Sequence, residues 1–222
     1  MKLKVFINRF NSIGKKKQFV DEFLLTYQKG MTVLDVIMQI QQNRDPTLAF
    51  RYECRQGICG TCGVMLNGKP VLSCSTQISP SLKKNIIEPL ANFPVEKDLI
   101  VNLKPILKKF LDIKPFIDRI QKVKLTKKIA NKSKPFRKCI ECGCCIAGSA
   151  TVSKNSNIID PMDLVKLARY FTDPRDGINR IKIAQKGGIK HYSIEEGEKL
   201  ATICPRGIPI DQAIKLLNEK YE

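Results

Sequence analysis

The sequence predicts an α+β protein in two parts, a sheet-forming first half and a helical second half, and three features of its 222 residues predict it. Apolar residues alternate over 2–9 and 18–27, as half-buried strands require. An Asn67-Gly68 pair sits between two short apolar runs, the pattern of a tight hairpin. From about Asp98 onward the apolar period lengthens to that of a helix.

Taken in order, 2–9 and 18–27 read as two strands, with Phe19, Phe23 and Leu25 among the apolar positions. Thr32-Val33-Leu34-Asp35 is a capping box, and Val33, Val36, Ile37 and Ile40 recur at helical spacing. A helix over 33–42 is expected, its apolar face covering the sheet. The segment 54–63 carries Gly57, Gly60 and Gly63 and reads as a loop; Val64-Met65-Leu66 and Pro70-Val71-Leu72 then form the arms of the hairpin. A small first domain over 1–97 follows from these elements.

The second domain, 98–222, is expected to be mostly α. Leu99, Leu103, Ile106, Leu107 and Phe110 make one helical segment and Phe116, Ile117, Ile120 and Val123 the next, with Pro105 and Pro115 bounding or kinking them. Further helices are expected over 161–171 and 209–219, the second with Pro209 in its first turn. The stretch 127–138 reads as an exposed connector.

Composition narrows the function. No apolar run approaches the roughly 20 residues of a membrane-spanning helix, and Met1 to Ile7 alternate like a strand instead of forming a secretory signal. A cytoplasmic location is expected. Lys and Arg number 39 against 21 Asp and Glu, a net charge of +18, which favours an acidic protein, anionic lipid or nucleic acid as partner. The lysines are scattered, Lys15 to Lys17, Lys83, Lys84, Lys108, Lys109, Lys127 and Lys128 among them, so a solvated surface is the plainer reading. No nucleic-acid partner is expected, because aromatics are only 7% and tryptophan is absent.

Nine cysteines are an odd number for a disulfide framework, which belongs in any case to short secreted chains. Nor do they read as isolated packing residues: Cys54, Cys59, Cys62 and Cys74 lie within 21 residues, and Cys139, Cys142, Cys144 and Cys145 within seven. The first set, Cys54-x4-Cys59-x2-Cys62-x11-Cys74, has the spacing of the plant-type 2Fe-2S loop. Gly57, Gly60 and Gly63 suit a backbone wrapped tightly around such a cluster with its N–H groups near the sulfurs. A structural zinc site is the rival, yet zinc sites usually pair two Cys-x2-Cys turns and only Cys59 and Cys62 form one. A redox dithiol at Cys59 and Cys62 leaves Cys54 and Cys74 unexplained.

In the second set, Cys139-x2-Cys142-x2-Cys145 opens the bacterial 4Fe-4S run, and the distant Cys204-Pro205 supplies a fourth thiolate with its following proline. A 4Fe-4S cluster on Cys139, Cys142, Cys145 and Cys204 is expected. Cys144 is then the spare thiol, with a one-residue exchange against Cys145 left open, and zinc is again the rival.

The assembled residues resemble the iron-sulfur subunit of succinate dehydrogenase and fumarate reductase. The likeness rests on Asp45-Pro46-Thr47-Leu48-Ala49-Phe50-Arg51 leading into Cys54-Arg55-Gln56-Gly57-Ile58-Cys59-Gly60-Thr61-Cys62, on Ile87-Glu88-Pro89-Leu90, on Asp173-Pro174-Arg175-Asp176, and on Cys204-Pro205-Arg206-Gly207-Ile208. It implies a β-grasp ferredoxin domain followed by an all-α helical ferredoxin domain, docked on an FAD-bearing catalytic subunit and passing single electrons to a membrane anchor or another acceptor. Substrate chemistry would belong to the flavoprotein, and the chain would be peripheral on the inner membrane through its partners. Relatives also hold a 3Fe-4S cluster, whose three cysteines fall where this chain has Ser149, Ile194 and Leu200. No 3Fe-4S cluster is therefore expected. One histidine, His191, does not replace three thiolates, and the tryptophan that many relatives place at the quinone pocket is missing. A different flavoprotein with a non-quinone acceptor, and a zinc-stabilised basic binding module, are the competing readings.

Overall fold

The computed structural model describes residues 1–11 and 18–218. The lysines at 15–17 and the last residue of the expected helix 209–219 lie outside the described residues. Along the chain run β1 (Lys2–Phe10), β2 (Gln18–Thr26), α1 (Val33–Asn43), β3 (Gly63–Leu66), β4 (Lys69–Leu72), β5 (Asn85–Glu88), β6 (Val95–Lys97) and β7 (Ile100–Val101). Then come α2 (Lys104–Asp112), α3 (Lys127–Lys132), α4 (Cys144–Ala147), α5 (Ala150–Lys154), α6 (Pro161–Phe171), α7 (Arg180–Lys186), α8 (Ile194–Ile203) and α9 (Ile210–Asn218). They form two compact units, one of Met1–Asn102 with Cys142–Ala147 and one of Leu103–Glu141 with the chain from Gly148 onward.

In the first unit a mixed sheet has the order β2-β1-β5-β3-β4, with β1 and β5 parallel and the other neighbours antiparallel. Alternation in β1 buries Leu3, Val5 and Ile7 on one face, and α1 lays Val33, Val36, Ile37 and Ile40 against them with Ile87 and Val64. The capping box forms as the sequence reads: the Asp35 N–H donates to Thr32 Oγ1 at 3.1 Å and the Thr32 N–H to Asp35 Oδ2 at 2.8 Å. Asn67 and Gly68 both take positive φ, +50° and +76°, as a two-residue hairpin turn demands. One helix across a mixed sheet is a β-grasp arrangement.

Three expectations are corrected. Residues 98–102 do not begin a helix: Asp98 turns with φ +47° between β6 and β7, and Leu99 joins the core of the first unit. Long-range contacts decide this, because the Asp98 N–H donates to the Phe10 carbonyl at 2.7 Å and its carboxylate holds Arg9 at 2.9 and 3.1 Å. Residues 116–123 are not helical either. The buried Arg180 guanidinium donates to the carbonyls of Ile113 and Lys114 at 2.8 Å and of Phe116 at 2.7 Å, which takes up the acceptors that a helix there would need. The stretch 127–138 is structured as α3, capped by Thr126, and a 3-10 turn at Phe136–Lys138 that buries Phe136. The helix expected over 161–171 is α6, and the one expected over 209–219 is α9, which starts one residue after Pro209.

Removing Arg180 strands a buried Asp176, to which it donates at 2.6 and 2.9 Å, together with three carbonyls. In urea unfolding, Arg180→Met is expected to cost about 3–5 kcal/mol, whereas Thr32→Ala, which deletes only the α1 cap, is expected to cost about 1 kcal/mol.

Candidate metal centre

The loop between α1 and β3 is shaped by its backbone. Arg55, Gly57 and Gly60 adopt φ of +57°, +67° and +77°, and these left-handed steps turn successive N–H groups toward the inside of the loop. Gln56, Ile58 and Cys59 donate their N–H to Cys54 Sγ at 3.4, 3.4 and 3.3 Å, and Gly57 donates to Cys74 Sγ at 3.3 Å. Gly63 is needed for a different reason, since a Cβ there would sit 2.9 Å from Leu90 Cδ1. The far end of the site is fixed by α1: the first helical N–H groups, of Val33 and Leu34, donate to the carbonyls of Thr76 and Ser73 at 2.9 Å, and Ser73 donates to the Cys62 carbonyl at 3.0 Å. Cys62 and Cys74 are thereby tied to one another through the sheet and the helix start.

Electrostatics follow this geometry. The N–H donors of Gln56, Cys59 and Ile58 pull the Cys54 thiol down to about 6, with the neighbouring Cys59 side chain adding to the effect. Burial pushes Cys74 up to about 11, with a hydrogen bond to the Cys62 side chain acting in the same direction. Cys54 is thus influenced by Cys59, and Cys74 by both Cys62 and Cys54. Among the described residues no three Cys, His, Asp or Glu side chains converge on the single point that one ion needs.

The second set is divided between the units. Cys142, Cys144 and Cys145 belong to the first, where the Asn92 side-chain amide donates to the Ile146 carbonyl at 2.8 Å at the end of α4. Cys144 is 0% exposed, while Cys142 and Cys145 are partly exposed. A hydrogen bond from the Cys144 side chain draws the Cys142 thiol down to about 7 against the effect of burial. Cys139 and Cys204 belong to the second unit, Cys139 closing the 3-10 turn at Phe136–Lys138 and Cys204 capping α8. Ser149 caps α5 through the Val152 N–H at 3.1 Å and donates to Glu196 Oε1 at 2.7 Å; Thr151 donates its N–H to the same oxygen at 3.1 Å. Leu200 is buried on α8. His191 ends the second 3-10 turn, at Ile189–His191, exposed at the surface.

Neither the sulfur-facing N–H groups of Gln56, Ile58 and Cys59 nor Glu196 was marked by residue type, because backbone donors leave no side-chain signature. Ser193-x-x-Glu196 is a capping-box pattern, however, and it does mark the start of α8.

Comparison with known proteins agrees with this geometry. The 2Fe-2S iron-sulfur cluster binding domain family matches residues 4–108. The fumarate reductase iron-sulfur subunit of Escherichia coli O6:H1 is 31% identical over 223 residues, covering 96% of this chain and 90% of that protein. The chain belongs to the fumarate reductase and succinate dehydrogenase iron-sulfur subunits. The Haemophilus influenzae fumarate reductase iron-sulfur subunit is 30% identical over 191 residues, 78% of this chain and 75% of that one. Among solved structures, a chain of the Mycobacterium smegmatis Sdh1 complex in the apo form superposes with a TM-score of 0.83 at 25% identity, covering 97% of this chain and 93% of its own. As a member of this family the chain is an electron-transfer subunit of an oxidoreductase complex, with a 2Fe-2S domain at its N-terminal end.

Cys74→Ala is expected to abolish the 2Fe-2S paramagnetic signal of the dithionite-reduced protein while leaving the signal of any cluster on the second cysteine set. Retention of a normal 2Fe-2S signal would remove Cys74 from the ligand set.

Proposed function

We propose that this iron-sulfur subunit holds one 2Fe-2S cluster on Cys54, Cys59, Cys62 and Cys74 and one 4Fe-4S cluster on Cys139, Cys142, Cys145 and Cys204. The observation that carries the first assignment is the set of four N–H donors on the sulfurs of Cys54 and Cys74. Such donors favour thiolate over thiol and stabilise the more negative, reduced state of a bound cluster. When bound, the clusters supply one-electron carriers. The chain's own residues fix the sulfurs, turn N–H groups onto them and shield Cys62 in the sheet. For the second assignment the support is the Cys-x2-Cys-x2-Cys run with the distant Cys-Pro, and the burial of Cys144, which favours Cys145 as the ligand.

The partner in this reading is an FAD-bearing flavoprotein on which substrate is oxidised or reduced; a membrane anchor or another carrier takes or gives the electrons. No described helix is long and apolar enough to cross a membrane, so any attachment to the cytoplasmic face of the inner membrane would come through partner subunits or the chain's own surface. A 3Fe-4S cluster is absent in this reading, because Ser149 is committed to capping α5 and to Glu196, and Leu200 offers no ligand atom. That same departure favours a second reading, in which the flavoprotein is of another kind and the acceptor is not a quinone. The match of residues 4–108 to the 2Fe-2S iron-sulfur cluster binding domain family weighs against the zinc-stabilised basic module.

Anaerobically purified protein should contain about six irons and about six acid-labile sulfides; stoichiometric zinc with little sulfide would overturn the assignment. After mild anaerobic oxidation the native complex should lack a stoichiometric three-iron paramagnetic signal. Co-purification with an FAD-containing subunit, followed by a substrate screen, separates the two flavoprotein readings.

A further inference from the structure

The second unit exposes a strip of large apolar side chains. Leu103, Leu107 and Leu111 follow one another at i, i+4 and i+8 along one side of α2, and Phe116, Ile120 and Val123 continue on the irregular chain beyond it. Leu111 is 66% and Ile120 76% exposed, far beyond a stray surface leucine when six such groups share 21 residues. Between 103 and 128 the chain carries nine Lys and Arg against two Asp, and every residue from 119 to 128 is exposed.

A second feature adjoins the strip. A cavity of about 150 Å³ is walled by Ile117 and Leu125, neighbours of the strip in sequence, and by Arg137, Arg169 and Arg175. Asp173 is the one carboxylate lining it among the described residues, and Arg175 engages it with hydrogen bonds of 2.9 and 2.7 Å. Arg137 donates to the Ala130 carbonyl at 3.2 Å and Arg169 lies 5.3 Å from the Tyr170 ring centre. Two guanidinium charges remain in excess, beside apolar groups, in a space that fits a small anion with a hydrocarbon neighbour.

We propose that this face of the chain binds directly to an anionic phospholipid surface, its apolar side chains entering the boundary between headgroups and acyl chains and its arginine cavity taking a lipid phosphate. Lysine density beside exposed leucine and isoleucine decides for lipid over protein. Protein interfaces are depleted of lysine, whereas segments that lie in a membrane surface combine lysine with large apolar groups. The lysine stems cover apolar surface while their ammonium groups reach the phosphates. This contact is additional to any made through partner subunits and does not depend on which clusters are bound.

The test is co-sedimentation of the full, cluster-loaded chain with vesicles of phosphatidylcholine alone and of phosphatidylcholine mixed with phosphatidylglycerol. Binding is expected to the mixed vesicles, weakening as salt is raised. Leu107→Gln with Leu111→Gln should lower partition roughly tenfold or more. Lys122→Gln with Lys124→Gln, both at fully exposed positions, should lower it about fivefold per lysine at low salt, and Arg169→Gln should lower the preference for phosphatidylglycerol. Visible absorption and circular dichroism should be unchanged in all three. The proposal is overturned if the wild-type chain ignores mixed vesicles, if the lysine pair binds them as the wild type does, or if inorganic phosphate at constant ionic strength displaces the chain. It is equally overturned if the variants bind vesicles normally but lose a partner subunit from the assembled complex, since the strip would then be a protein interface.

Discussion

Negative charge on sulfur is the constraint to which the first unit is built. A thiolate or a reduced cluster needs donors, and in this loop the backbone supplies them: the chain takes left-handed steps at Arg55, Gly57 and Gly60 that turn four N–H groups onto Cys54 and Cys74. Holding those steps in register requires rigid supports at both ends of the loop. Cys62 enters the sheet just before β3, and Cys74 leaves it just after β4, under the N-terminal turn of α1. The hairpin and the capped helix thus set where the last two sulfurs stand.

Buried arginines do a related task at places where secondary structure gives out. Arg9, in β1, binds Asp98, Asp45, Asp21 and Thr47, and so joins two strands, the segment before the cysteine loop and the β6–β7 turn. Burial opposes its charge, but the hydrogen bonds to Asp98 and Asp45 prevail and raise its pKa. Arg180 does the same in the second unit by replacing helical N–H donors at Ile113, Lys114 and Phe116 with a guanidinium. A planar group with five donors is suited to gathering several acceptors that no regular element satisfies.

Around Ser149 and Leu200 the chain is held by packing and hydrogen bonding. Glu196 accepts from Ser149 and from the Thr151 backbone and side chain, linking the start of α5 to the first turn of α8. Those donors hold its carboxyl below the usual range despite burial. These bonds make a structural joint out of a helix cap.

The sequence alone determined the elements whose signal is local. The capping box at Thr32, the Asn67-Gly68 turn, the alternation in β1 and the proline-led helices at Pro161 and Pro209 each carry their cause within a few residues. The Cys54 to Cys74 spacing belongs to the same class, within the 2Fe-2S domain that the family match covers. What only the tertiary structure decided are features settled by distant partners: the turn at Asp98 drawn to Arg9, the absence of helix over 116–123 under Arg180, and the backbone donors at Gln56, Ile58 and Cys59, whose φ angles no residue type announces except at glycine. Periodicity at 98–102 and 116–123 was a true record of apolar spacing. It did not fix conformation: near 116–123 the Arg180 guanidinium engages carbonyls that a helix needs as acceptors, and at 98–102 distant partners hold Asp98 itself, Arg9 by its carboxylate and the Phe10 carbonyl by its N–H.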